Sequence, residues 1–190
     1  MMLRRIYLQH LTLAISLVFL TLLSLQIIER QHQQDINDAI IRLLQSPRLV
    51  EATEIDLTEP EVQFAYAHHL QQRGMFEDAV DAYGKAERIS SPAMLKLVYY
   101  NMGNLYLHQA IETAEKMGID RATALADVAK DLYKSALKKD PEFWAAKYNY
   151  EAAQRLSRDL PLGDLQESGE AQESSEELWS AMPGFPLGLP

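Results

Sequence analysis

The sequence predicts an all-α protein in which a membrane-spanning helix precedes a domain of antiparallel helical hairpins. The first observation is an uncharged apolar stretch near the N-terminus, and the second is a set of small and aromatic residues that recurs at helical spacing. The third is the placement of proline and glycine at the expected helix ends. We therefore divide the 190 residues into an N-terminal segment and anchor (1–28), a juxtamembrane helix and linker (29–57), a helical domain (58–158) and an acidic tail (159–190).

The anchor prediction rests on residues 11–28, which contain no charged side chain. A helix of this length measures about 27 Å, close to the thickness of the hydrocarbon core of a bilayer. A cleaved signal peptide is the alternative, but its apolar region is usually shorter and ends in a small-x-small site, which residues 26–30 lack. Arg4 and Arg5 precede the stretch, so the positive-inside rule predicts a cytoplasmic N-terminus. Residues 29–190 would then lie on the other side of the membrane, which for a bacterial inner membrane is the periplasm.

Residues 31–45 are expected to continue the membrane helix. Ile36, Ile40, Leu43 and Leu44 form one apolar stripe at helical spacing. We expect this stripe to dock on the helical domain or on a partner. Ser46 and Pro47 should end the helix, because proline disfavours helical backbone at the residue before it.

The first hairpin is predicted over residues 62–87. Thr58 and Glu61 have the spacing of a capping box, and Pro60 fits the first helical turn, so a helix should begin near Glu59. Gly74 interrupts the helical pattern, because glycine adopts the left-handed conformation that turns the chain. The second helix then presents small and aromatic residues on one face: Ala79, Tyr83 and Ala86.

The pattern of the first hairpin recurs further along the chain. Ala129, Tyr133 and Ala136 repeat the second helix fifty residues on, and Gly103 follows Ala67 by thirty-six. The difference of fourteen residues predicts an insertion in the second hairpin, between Gln109 and Thr123. A third, partial copy begins at residue 144. This repetition resembles the tetratricopeptide (TPR) unit of about 34 residues, and a generic antiparallel helical bundle is the alternative.

Helix ends in the later part of the domain are also marked. Ser91 and Pro92 predict the start of a long helix that runs toward Met117, with Gly118 closing it and Asp120 capping the next helix. A final helix is expected from Pro141, with an apolar face that covers the end of the core. The residues assigned to that face are Phe143, Trp144, Tyr148 and Ala152.

Charge is distributed unevenly, with a formal net charge of −9 for the chain. Seven acidic residues and no lysine or arginine lie between Asp159 and the C-terminus, which leaves −2 for the rest. Because no basic patch is present to attract phosphate, we expect no nucleic acid partner. The tail as far as Glu177 has too little apolar surface to offset chain entropy, so it is predicted to be disordered.

The last residues, 178–190, differ from the rest of the tail. Trp179, Met182 and Phe185 stand among prolines and glycines, which exclude a helix. Such a segment can dock in an extended conformation with its aromatic side chains as anchors. The pattern predicts docking on a partner or on the chain's own helical domain.

The chain shows no pattern typical of a catalytic site. It has no cysteine, which excludes disulfides and thiolate chemistry. His68 and His69 are adjacent, so on a helix they point about 100° apart, and we expect an exposed pair rather than a metal site. Neither a nucleophile elbow nor a phosphate loop is present. We predict a non-enzymatic scaffold without a cofactor or a metal.

Partner-binding residues are predicted on the concave face of the helical domain. They are Tyr100, Asn101, Asn104 and Lys147. Asn149 recurs at the place of Asn101, so a hydrogen bond between helices is the alternative role for these asparagines.

Residues 99–106, 140–149 and 178–186, combined with the short anchored TPR-like architecture, resemble the MxaK family. These are accessory proteins of methanol-oxidation gene clusters in methylotrophic bacteria. The resemblance implies a role in maturation of periplasmic methanol dehydrogenase, in particular calcium insertion. It also implies partners among membrane proteins with von Willebrand A-type domains. The alternatives are a cell-envelope scaffold with other clients and direct calcium delivery by the acidic tail.

Overall fold

The computed structural model describes the backbone of residues 2–159 and the side chains of residues 10, 13 and 15–158. These residues form six α-helices and one short 3₁₀ turn, with no strand among them, so the all-α prediction is confirmed. The helices are α1 (Met2–Gln45), α2 (Pro60–Gln71), α3 (Phe76–Ile89), α4 (Pro92–Glu115), α5 (Ile119–Lys139) and α6 (Trp144–Asp159). Each helix packs on the next in chain order.

Helix α1 is continuous across the predicted boundary between anchor and juxtamembrane segment. Its 44 residues correspond to about 66 Å of helix. Among the side chains that the structure describes, no helix provides a stretch long and apolar enough to cross a membrane. The predicted span 11–28 includes three positions, 11, 12 and 14, whose side chains lie outside the described set.

The C-terminal part of α1 docks on the helical domain, which is one of the two predicted alternatives. Ile36 and Leu43 are buried in the core, and Ile40 packs against it. Leu44 is 52% exposed, so its assignment to the buried stripe was wrong. It follows Leu43 directly, and adjacent helical residues point about 100° apart.

The core consists of two clusters along the chain. The first joins the end of α1 to α2, α3 and the first half of α4, and the second joins the rest of α4 to α5 and α6. Tyr83 and Tyr133 are fully buried among alanines of the two hairpins. Small residues at these positions let the helix backbones approach closely.

The second hairpin is longer than the first. Helices α4 and α5 have 24 and 21 residues, whereas α2 and α3 have 12 and 14. The predicted insertion therefore takes the form of additional helical turns. Only residues 116–118 connect α4 to α5.

Several predicted helix ends differ from the observed ones. Thr58 does not cap α2, because its N–H and Oγ1–H both bond Asp56 Oδ1, at 3.0 and 2.8 Å. The N-cap residue is Glu59, and Pro60 is the first helical residue, as predicted. The Asp56 side chain thus binds the Thr58 groups that the capping box would use.

The final helix begins at Trp144 rather than Pro141, and it buries a different face from the predicted one. Ala146, Asn149 and Ala153 lie against the core, whereas Trp144 and Tyr148 are 73% and 49% exposed. The residue spacing of three and four identifies the buried face as the small one. The aromatic residues are therefore available on the surface.

The turns of the two hairpins share a hydrogen-bond pattern but differ in their left-handed residue. In the first turn Gly74 has φ +68° and donates to Gln71 O. In the second, Met117 has φ +62° and donates to Ala114 O, while Gly118 N–H bonds Thr113 O. Both arrangements are Schellman motifs. The sequence predicts that Gly118 closes α4 and that Asp120 caps α5, but Gly118 is itself the N-cap of α5.

Met117→Gly is expected to stabilise the protein by about 1 kcal/mol, because a residue with a Cβ is strained in the left-handed region. The Met117 side chain is 71% exposed, so its removal loses little packing. Gly74→Ala should have the opposite effect by a similar amount, since a Cβ there meets no atom within 4 Å and only backbone strain changes. Urea unfolding monitored by circular dichroism measures both changes. A loss of stability in Met117→Gly would contradict this account of the turn.

Candidate partner-binding surfaces

A polar cluster joins three helices at the centre of the second hairpin. Asn104 on α4 accepts two hydrogen bonds at its Oδ1, from Tyr133 Oη on α5 and from Asn149 Nδ2 on α6, both at 2.8 Å. Asn149 Nδ2 also lies 3.3 Å from Tyr100 Oη. Burial raises the pKa of Tyr133, with a smaller contribution from Tyr100, so the phenol keeps the proton that it donates. The cluster therefore holds α4, α5 and α6 together.

Two of the residues predicted on the concave face belong to this cluster. Tyr100 and Asn104 take part in contacts between helices, which was the alternative role considered for the polar residues. Asn101 bonds only within its own helix, to Leu97 O at 2.9 Å. The expectation that Asn101 and Asn149 share a role was therefore wrong, because Asn149 meets Asn104 instead. Asn101 is partly exposed.

Aromatic and lysine side chains form a second surface around the start of α6. Lys147 Nζ lies 4.5 Å from the centre of the Trp144 ring and 3.6 Å from Glu142 Oε2. Beside it, Lys96 Nζ lies 5.8 Å from the Phe143 ring. We call the residues Lys96, Phe143, Trp144, Lys147 and Tyr148 the α6 surface. Lys147 was predicted from the sequence, but the exposed Trp144 was missed because it was assigned to the core.

The histidine pair is not the exposed pair that the sequence predicted. His69 is 0% exposed, and both of its ring nitrogens contact backbone groups. His68 is partly exposed, and its Nε2 accepts from the Gln72 side chain at 3.0 Å. The 100° angle between neighbours on a helix already indicated that the two rings could not share one environment. It could not indicate which of them faces inward.

Two further predictions concern metal ions and the C-terminal segment. Within the described residues, no group of three or more histidine, aspartate or glutamate side chains could hold a metal ion. Trp179, Met182 and Phe185 lie outside the described residues. The same is true of most of the acidic tail.

Residues 2–159 define a class of protein: an all-helical arrangement of antiparallel hairpins, with a long N-terminal helix packed against the first of them. No protein family, curated protein or solved structure matches the chain.

Proposed function

We propose that this protein is a non-catalytic adaptor, anchored in a membrane by α1, whose TPR-like hairpins bind the components of a maturation complex. The observation that carries the proposal is the division of α1 into two parts. Its N-terminal part exposes large apolar side chains, while its C-terminal part is packed into the first core cluster. A helix of this kind connects an apolar environment rigidly to a folded domain.

The anchor is supported by the side chains of α1 between residues 13 and 28. Those that are large, apolar and exposed are Leu13, Ile15, Leu17, Val18, Phe19, Leu20, Leu22, Leu23, Leu25, Ile27 and Ile28. They surround the helix rather than forming one stripe, so one packing partner would not cover them. Thr21 and Ser24 donate to Val18 O and Leu20 O, at 2.8 and 2.7 Å, so their hydroxyl groups need no water. The proposed location is the bacterial inner membrane, with the N-terminus cytoplasmic and the domain periplasmic.

The TPR-like assignment is supported by equivalent positions in the two hairpins. Ala67 and Gly103 are the small residues of the first helices, and Tyr83 and Tyr133 are the fully buried aromatic residues of the second helices. In both hairpins the tyrosine hydroxyl donates to an amide oxygen on the preceding helix, Gln71 Oε1 and Asn104 Oδ1 respectively, at 2.8 Å. Stacked hairpins of this kind commonly bind proteins rather than transform small molecules.

The proposed client follows from the resemblance to the MxaK family. The adaptor would support maturation of periplasmic methanol dehydrogenase, in particular calcium insertion, together with von Willebrand A-type membrane proteins. Asn101 and Lys147 are the predicted binding residues that remain partly exposed and are not used to join helices. Trp144 extends this surface, and the terminal segment with Trp179 would provide a second contact.

Deletion of the gene in a methanol-growing host tests the proposal. We expect loss of dehydrogenase activity that added calcium restores, because the client enzyme would accumulate without its metal. The full chain should complement the deletion, and a chain that ends at Gly163 should not, if the terminal segment contacts a partner. Full activity in the deletion strain would contradict the maturation role.

The complemented strains separate the remaining alternatives. Full activity with the chain that ends at Gly163 would contradict the docking role of the tail but leave the adaptor intact. Direct calcium delivery requires the purified chain to bind calcium itself. A dissociation constant weaker than millimolar, measured by calorimetry, would exclude that alternative, because a chain that binds calcium so weakly could not carry it to the enzyme.

A further inference from the structure

Two side chains attach α1 to the helical domain, one from His69 on α2 and one from Arg73 in the turn that follows α2. His69 is fully buried, with Nδ1 2.7 Å from Leu43 O and Nε2 3.0 Å from the Val50 nitrogen. Leu43 O is one of the last four carbonyl groups of α1, and these groups have no N–H partner inside the helix. His69 therefore caps α1 and at the same time holds the segment that follows it.

Arg73, four residues further on in the turn after α2, completes this attachment. Its Nη2 donates to Ser46 O at 2.8 Å and to Arg48 O at 2.7 Å, and its Nη1 donates to His69 O at 3.0 Å. A positive charge at this position also interacts favourably with the C-terminal end of the α1 dipole. We call the two residues the His69–Arg73 clamp.

The hydrogen bonds determine the protonation state of His69. The Val50 amide can only donate, so Nε2 must be the unprotonated nitrogen, and the neutral ring carries its proton on Nδ1 toward Leu43 O. A second ring proton would face the Val50 N–H and remove that bond. It would also place a positive charge next to Arg73, whose Nη1 is 3.0 Å from Nδ1. The geometry thus accepts only neutral histidine.

We propose that the His69–Arg73 clamp is released by protons: acidification protonates His69, breaks its bond to Val50 and frees residues 43–50 from α2 while both hairpins stay folded. The proposal does not depend on what α1 is anchored to. It makes the connection between α1 and the domain sensitive to the pH of the compartment. A release of this kind would allow the domain to change its orientation relative to α1.

Charged and titratable groups from several elements surround the clamp. They are Tyr66 and His68 on α2, Arg73 in the turn after α2, Arg42 on α1, Arg48, Glu51 and Glu54 on the connecting segment, and Asp78 on α3. Burial lowers the pKa of His69, the bond to Leu43 opposes this, and Arg73 lowers it further. Bonding to Arg48 lowers the pKa of Glu54 to about 2, so this carboxylate stays ionised while histidine titrates.

The sign of the pH effect follows from the lowered pKa. The unfolded chain binds a proton at His69 near pH 6.5, and the closed clamp does not. The stability that the clamp contributes is therefore present above about pH 6.5. It is lost as the pH falls from there toward the lower pKa of the folded state.

Hydrogen exchange on the full chain in mild detergent tests the proposal. After correction for intrinsic rates, protection in residues 43–57 should fall about tenfold between pH 7.5 and 5.5, since one pH unit below the unfolded-state pKa changes the equilibrium tenfold. Protection in α5 should stay unchanged. Loss of protection throughout the domain at the same pH, or no change in residues 43–57, would overturn the proposal.

His68→Gln is the matched control, because His68 neighbours His69 and its pKa is also lowered, first by burial and then by His69. This variant should keep the tenfold pH effect, whereas His69→Gln should show weak protection of residues 43–57 at both pH values. A pH effect that persists in His69→Gln would overturn the proposal. Independently of any variant, NMR titration of the wild-type His69 ring should coincide with loss of the Val50 amide signal. Different midpoints for these two changes would also overturn the proposal.

Discussion

Tyr133→Ala is expected to destabilise the helical domain by about 4 kcal/mol, the larger of the two main effects predicted for the second hairpin. The ring is fully buried, so truncation leaves a cavity between α4 and α5. The change also removes a hydrogen bond from Asn104 Oδ1 in a buried polar cluster. Urea unfolding of the full chain, with an unchanged slope as the sign of a two-state comparison, measures the loss.

Two variants separate the contribution of the ring from that of the hydroxyl group. Tyr133→Phe keeps the ring and should cost about 1 kcal/mol, since Asn104 Oδ1 still accepts from Asn149. Tyr148→Ala removes an aromatic side chain that is 49% exposed on α6 and should cost well under 1 kcal/mol. If Tyr133→Ala were as mild as Tyr148→Ala, the second core cluster would not be organised around Tyr133.

Gly103→Ala is expected to cost about 2–3 kcal/mol by overpacking. A Cβ at Gly103 would lie 2.6 to 2.9 Å from three carbons of the Tyr133 ring. The ring is enclosed and its hydroxyl group is bonded to Asn104, so it cannot move aside without breaking that bond. Thermal or urea unfolding gives the magnitude.

Gly84→Ala provides a control of opposite sign. Gly84 lies inside α3, where a Cβ would meet only Arg88 Nη1 at 3.9 Å. The alanine should therefore stabilise the helix by up to about 1 kcal/mol through its higher helix propensity. The cost of Gly103→Ala should also largely disappear in a Tyr133→Ala background, because the two residues are in contact. Additive effects in the double mutant would contradict the proposed clash.

Much of the secondary structure could be predicted from short stretches of sequence. Pro60 and Pro92 mark the first residues of α2 and α4, and Gly74 adopts the predicted left-handed turn. These features depend on the backbone preferences of one or two residues, which act in the same way in every fold. The left-handed conformation of Met117 was missed because the two helices that it connects impose this strained backbone, and the residue type does not favour it.

The candidate surfaces were predictable only in part. Lys147 is near the surface, as predicted. Trp144 was assigned to the core, but the face of α6 that carries it points away from the core. The relevant face was ambiguous because α6 carries small residues and aromatic residues at overlapping helical spacings. The observed packing buries Ala146 and Ala153 and leaves Trp144 and Tyr148 exposed.

The sequence by itself determined the helical class, the positions of most helix ends and the recurrence of small and aromatic residues in two hairpins, because these depend on local propensity and periodicity. The tertiary structure decided which polar residues are buried. His69 caps a helix that lies 26 residues earlier, and Asn149 bonds a side chain 45 residues away. Such roles depend on which helices pack together and on how each is rotated about its axis. Neither can be read from the identity of a single residue.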